Sequence, residues 1–127
     1  MADGIQLIVV DAANVIGSRP DGWWRDRAGA ARRLLEQLSA SALQREQQMV
    51  VVLEGKAKAA DASVDGVRVV QADGSGDDAI VDVVAAAVER DSTRPITVVT
   101  ADRELRERVA ALGAGTVGPT WLWERLR

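Results

Sequence analysis

The chain has 127 residues, with 16 Lys and Arg against 19 Asp and Glu, for a net charge of −3. A chain of this length makes one domain and buries roughly two-thirds of its unfolded surface without staples. Cysteine and histidine are both absent, which excludes disulfides, thiolate catalysis, cysteine zinc sites and every Ser-His-Asp or Cys-His mechanism; the net charge argues against a sequence-blind DNA coater.

The apolar runs are too short to span a membrane, and the N-terminus lacks a basic-then-apolar signal pattern. A cytoplasmic protein with no membrane partner is therefore expected. Nearly all the positive charge is Arg, with Lys56 and Lys58 the only lysines. Arg grips phosphate in a bidentate way that Lys does not, although GC-rich codon usage also explains the bias.

Segment 5–10 (IQLIVV) is an apolar strand ending at Asp11. A helical pattern follows over 25–43, where Ala28, Ala31, Leu34, Leu35, Leu38 and Leu43 recur on one face. Segment 49–53 (MVVVL) is the second strand and 67–70 (VRVV) the third. Between them, 55–66 (GKAKAADASVDG) is long enough for a parallel crossover, with Ala-rich helix potential. A second helical stripe runs from 77 to 89 (Ile80, Val83, Val84, Ala87, Val88), then a strand over 96–100 (ITVVT). A third helix covers 103–112, with Gly113 as its C-cap. A weak strand near 115–118 and a terminal WLWERL turn complete the chain. Continuous apolar strands suit a parallel sheet buried on both faces, and their alternation with helices implies a doubly wound α/β sheet.

In such a sheet ligands bind beyond the carboxyl ends of the strands. Asp11 and Asp102 each follow a strand, and Asp77 and Asp78 open a helix beyond the third. If the strands before Asp11 and Asp102 are neighbours, their backbones lie roughly 5 Å apart. Two like charges at that separation repel by roughly 3 kcal/mol at an effective dielectric near 20. A hard divalent cation relieves this, and an all-oxygen ligand set selects Mg²⁺ or Mn²⁺ over zinc. Such an ion turns water into a nucleophile without histidine. Each acid also has a structural reading. The helix macrodipole favours Asp77 and Asp78, and Asp102 is placed to cap the helix at 103–112.

At these residues the chain resembles the NYN branch of the PIN-like nuclease superfamily. VVDAANVIGS is similar to the family's first strand with its Asp-x-x-Asn motif, GDDAIVDVV to its acidic helix start, and VVTADREL to its last acidic strand end. The resemblance implies a three-layer α/β/α sandwich with a mostly parallel sheet in the order 3-2-1-4-5, spanning residues 1–127. That order makes the strands ending at Asp11 and Asp102 neighbours. It also implies Mg²⁺- or Mn²⁺-dependent endonucleolytic cleavage of RNA by metal-activated water. Asp11, Asp77, Asp78 and Asp102 would be catalytic metal ligands, directly or through water, and Asn14 would orient a ligand or the scissile phosphate. Asp82, Glu54 and Thr100 would stand beside the ligands; a solvated helix residue and an ordinary strand-end charge are the plainer readings of the first two. Relatives often carry a further acid one turn after the strand-end acid. Here that position is Arg106, between Glu104 and Glu107, which favours one metal ion over two.

Candidate substrate contacts lie in GSRPDGWWRDR, beside Asp11, which combines Arg19, Arg25 and Arg27 with Trp23 and Trp24. Aromatic rings stack on single-stranded bases and Arg holds phosphate. One Trp is expected buried and the other partly exposed. Lys56 and Lys58 would form a basic lip, Arg103 would meet a phosphate or balance the acids, and Trp121 and Trp123 read as packing. The rival functions are a catalytically weak or inactive PIN-like module that binds RNA or protein, and another phosphate enzyme on a similar sheet. A haloacid-dehalogenase-like phosphatase needs Asp-x-Asp where this chain has Asp11-Ala12-Ala13. A homodimer or a regulatory protein partner stays open.

Overall fold

The computed structural model describes residues 5–60 and 64–127. Five strands form one sheet: β1 (Leu7–Asp11), β2 (Gln48–Leu53), β3 (Val67–Gln71), β4 (Ile96–Val99) and β5 (Gly115–Val117). Every pairing is parallel and the order is β3-β2-β1-β4-β5. This is the expected PIN-like order. The helices are α1 (Ala12–Gly17), α2 (Arg27–Ala40), α3 (Leu43–Glu46), α4 (Gly76–Arg90), α5 (Arg103–Ala110) and α6 (Pro119–Arg125), with 3₁₀ turns at Trp23–Arg25 and Gly55–Ala60. Residues 61–63 of the crossover lie outside the described residues.

The three layers follow from the strict side-chain alternation of each strand. Ile8, Val10, Met49, Val51 and Leu53 face one side, where α2 supplies Ala31, Leu34, Leu35 and Leu38, and α6 supplies Leu122. Leu7, Val9, Val50, Val52 and Val98 face the other, against Ile80 and Val84 of α4 and Leu105 and Val109 of α5. All of these side chains are buried. No helix among the described residues is long and apolar enough to cross a membrane.

The helix α1 is absent from the sequence reading. Its N-cap is Asp11 itself, which accepts from the backbone N–H of Asn14. Asp followed by two alanines is a sound helix start, but the apolar strand before it hides the signal. The helix α5 ends at Ala110 with Ala111 as its C-cap, earlier than the expected Gly113, which lies in the turn that follows at φ 97°, a conformation that favours glycine.

Candidate functional site

The chain turns left from β1 to β2 and returns to the right as β4, so the carboxyl ends of β1 and β4 flank the switch point of the sheet. Register pairs Val10 with Val99, which sets Asp11 beside Thr100. Thr100 Oγ1 donates to Asp11 Oδ2 at 2.9 Å and accepts from the Asp102 N–H at 3.1 Å. Asn14 N donates to Asp11 Oδ1 at 3.3 Å. Asn14 Oδ1 accepts from the Ala101 N–H at 2.8 Å, so the amide NH₂ is the end left to meet a ligand. Asp102 caps α5 by accepting from the Leu105 N–H at 3.0 Å. The two strand ends are thus joined through Asn14 and Thr100.

Glu54, just past β2, joins this rim. Its Oε2 accepts from Gly76 N at 2.8 Å, placing a carboxylate against the amino end of α4, where the macrodipole favours it. A Cβ on Gly76 would lie 2.8 Å from the Glu54 carboxyl carbon, so the contact depends on glycine. Asp77 is the next residue, and Glu54 therefore fixes where α4 presents it.

The electrostatics show which acids share one field. Asp11 is buried, and burial is the largest cause raising its pKa from 3.8 to about 6; Asp77 and Glu54 raise it further, while the bonds from Thr100 and Asn14 pull it down. Asp77 is also raised, first by desolvation, then by Asp102 and Glu54, with Glu104 adding to the effect and Arg108 opposing it. Asp77 therefore links the group: it acts on Asp11, Glu54 acts on both, and Asp102 acts on Asp77.

Asp78 is not among them. It pairs with Arg108 at 3.0 Å, with the Asp78 side chain 69% exposed. Successive helix residues point roughly 100° apart, so only one of the Asp77–Asp78 pair faces the rim. Asp82 also lies away, in a groove along β3 and α4 that Asp78 shares. Arg106, where relatives carry an acid, turns back and donates from Nε to the Thr100 carbonyl at 2.8 Å. Glu104 reaches the field of Asp77, and Glu107 is exposed.

The aromatic expectation needs correction. Neither Trp of the connecting loop is buried: Trp23 packs partly against the core, and Trp24 is 52% exposed. Their rings meet edge to face at 6.0 Å. Burial fails because the loop has its own helical turn on the surface and each ring takes an Arg instead, Arg27 over Trp23 at 5.3 Å and Arg25 over Trp24 at 5.7 Å. Arg19 lies over Trp123 at 3.7 Å, and Trp123 Nε1 donates to Ser18 Oγ, so Arg19 joins the C-terminal helix rather than the acids. Trp121 packs on the core as read from sequence. Lys58 Nζ donates to the Ala72 carbonyl at 2.9 Å, and Lys56 and Arg103 are exposed.

Sequence reasoning missed Arg108, Ser75 and Gly76. Ser75 caps α4 by accepting from the Asp78 N–H, and serine before an acidic helix start is a readable signal. The dependence of Glu54 on Gly76 spans 22 residues and leaves no local mark.

The donor set suits a hard cation, because its acids are all-oxygen and repel one another without an adjacent counter-charge for Asp11. Among the described residues, no group of three or more acidic side chains is placed to hold a metal ion together, so an ion here would take at most two of them directly. Water would complete the coordination, as it does for Mg²⁺.

The family model described as the YacP-like NYN domain matches residues 8–127. The fold is similar to two crystal structures of Rae1 (YacP) from Bacillus subtilis. The first, a point mutant, superposes with a TM-score of 0.77 at 18% identity, over 96% of this chain and 75% of that one. The second gives 0.73 at 15% identity, over 96% and 74%. A search of curated protein sequences found no match.

Proposed function

Because this chain belongs to the YacP-like NYN domain family, a PIN-like, nuclease-type family, we propose that it is a metal-dependent endoribonuclease hydrolysing RNA phosphodiester bonds. The observation that carries the reading is the gathering of Asp11, Glu54, Asp77 and Asp102 at the switch point, where burial first, with Asp77 and Glu54 adding to it, lifts the Asp11 pKa to about 6.

Asp11, Asp77 and Asp102 would hold Mg²⁺ or Mn²⁺, at most two of them directly and the rest through water. When bound, the ion supplies a water of lowered pKa and balances charge on the phosphate. Thr100 keeps Asp11 ionisable and aimed by donating to Oδ2. Glu54 keeps Asp77 in place through Gly76. Asn14, held by the Ala101 N–H, offers its NH₂ to a phosphate oxygen. Trp23, Trp24, Arg25 and Lys56 supply stacking and phosphate contacts for a single strand. Asp78 is left out of the ligand set because Arg108 holds it.

Asp11→Asn should abolish Mn²⁺-dependent cleavage of an end-labelled RNA while circular dichroism stays unchanged. Wild-type activity in that variant overturns the assignment. A second reading, a binding module without catalysis, is favoured by Arg106, whose guanidinium is tied to the strand end. Isothermal titration with Mn²⁺ separates the two: saturable heat supports the enzyme, and none supports the module.

A further inference from the structure

Next to the acid rim, Ala13, Ile16, Trp23, Arg27, Glu54 and Ala57 line a pocket of about 410 Å³, within the size range of small-ligand sites. Its wall is apolar except at two places. The Arg27 guanidinium lies over the Trp23 ring at 5.3 Å. Glu54 contributes a carboxylate whose Oε2 uses one lone pair on the Gly76 N–H, leaving its other lone pair and Oε1 to accept from a ligand. Gly55 and Gly74 complete the lining with backbone alone.

We propose that this pocket receives a guanine base next to the scissile phosphate and makes the protein guanine-selective. The inference rests on reading the neighbouring site as RNA-cleaving. A carboxylate only accepts hydrogen bonds, and guanine is the base with two adjacent donors, N1–H and N2–H₂, on its pairing edge. Adenine and cytosine set a ring acceptor beside a single amino donor, and uracil flanks one N–H with two carbonyls, so each turns a lone pair toward Glu54. Arginine recognises the O6 and N7 acceptors of the same base. The indole gives the apolar ring face that an unstacked base needs. Glu54 belongs to both the pocket and the acid rim, so a base held here leaves its phosphate beside Asp11 and Asp77.

The test is a metal-free NMR titration of the whole chain with 5′-GMP and with 5′-AMP. GMP should move the Trp23 indole N–H and the Gly55 and Gly74 amides, with a preference over AMP of about tenfold, the discrimination typical of one good bidentate pair. Glu54→Gln keeps an acceptor for Gly76 and turns an amide donor into the pocket, so the preference should fall to parity. Equal movement by both nucleotides in the wild type, no movement at these three groups, or an undiminished preference in Glu54→Gln overturns the proposal. Because no divalent ion is present, the titration reads the pocket alone. Cleavage that survives Asp11→Asn would remove the enzymatic reading and leave the pocket result standing.

Discussion

Thr100 Oγ1 donates to Asp11 Oδ2 across the β1–β4 seam at 2.9 Å, and the same oxygen accepts from the Asp102 N–H. One fully buried hydroxyl therefore orients the Asp11 carboxylate and anchors the backbone at Asp102. Thr100→Val keeps the shape but leaves a buried carboxylate oxygen without its donor, at a cost of about 1–3 kcal/mol. The Asp11 pKa should rise further, because the Thr100 bond is the strongest influence holding it down. Thr100→Ser should restore both. Thermal melts and an NMR titration of the Asp11 carboxyl measure the two effects; an unchanged pKa in Thr100→Val would contradict the link.

Asp11 also makes stability depend on pH in a particular direction. Its folded pKa, about 6, lies above the ordinary value of 3.8, so the folded state holds the proton more tightly. Its contribution is whole below pH 3.8 and is lost as pH rises through about 6. A shift of this size corresponds to about 3 kcal/mol. In EDTA, the stability of wild type minus that of Asp11→Asn should fall by that order between pH 4 and pH 7. At neutral pH, Mn²⁺ should stabilise the wild type by binding the folded state and leave Asp11→Asn almost unmoved. A pH-independent difference would mean that Asp11 titrates normally.

The sequence exposes the frame of this site better than its wiring. Four strands are short runs rich in Val, Ile and Leu, so the parallel sheet and the position of Asp11 at a strand end are readable directly. Asp102 was legible both as a strand-end acid and as a helix cap, and it is both, because a cap uses one carboxylate oxygen and leaves the other. Asp77 and Asp78 are adjacent and indistinguishable in sequence. What separates them is Arg108, thirty residues away. Glu54 looked like an ordinary strand-end charge because its role depends on the missing Cβ of Gly76, a relation visible only when β2 and α4 meet.

The pairing of Glu54 with Gly76 reverses a familiar substitution. Gly→Ala inside a helix normally stabilises by up to about 1 kcal/mol. Here the new Cβ would meet the Glu54 carboxyl group and push it off the Gly76 N–H. Gly76→Ala should therefore bring no gain and should lower cleavage, since Asp77 loses its support. In a Glu54→Ala background the same change should recover the helix-propensity gain. A double-mutant cycle read by chemical denaturation measures this coupling, and strict additivity would show that the two residues act independently.

Asp77 and Asp78 give the sharpest test of the site. Asp77 lies in the field of Asp102 and Glu54, whereas Asp78 is spent on an exposed pair with Arg108. Exposed pairs contribute at most about 1 kcal/mol, so Asp78→Asn should cost little stability and should retain most Mn²⁺-dependent cleavage. Asp77→Asn should reduce cleavage by at least about a hundredfold, the scale of losing one electrostatic contributor to a transition state. Arg108→Ala frees Asp78 and also removes the cation that lowers the Asp77 pKa, so its cleavage profile should shift toward higher pH with little change in plateau rate. The three variants assayed side by side across pH decide the matter: equal losses for Asp77→Asn and Asp78→Asn would return both acids to the ligand set.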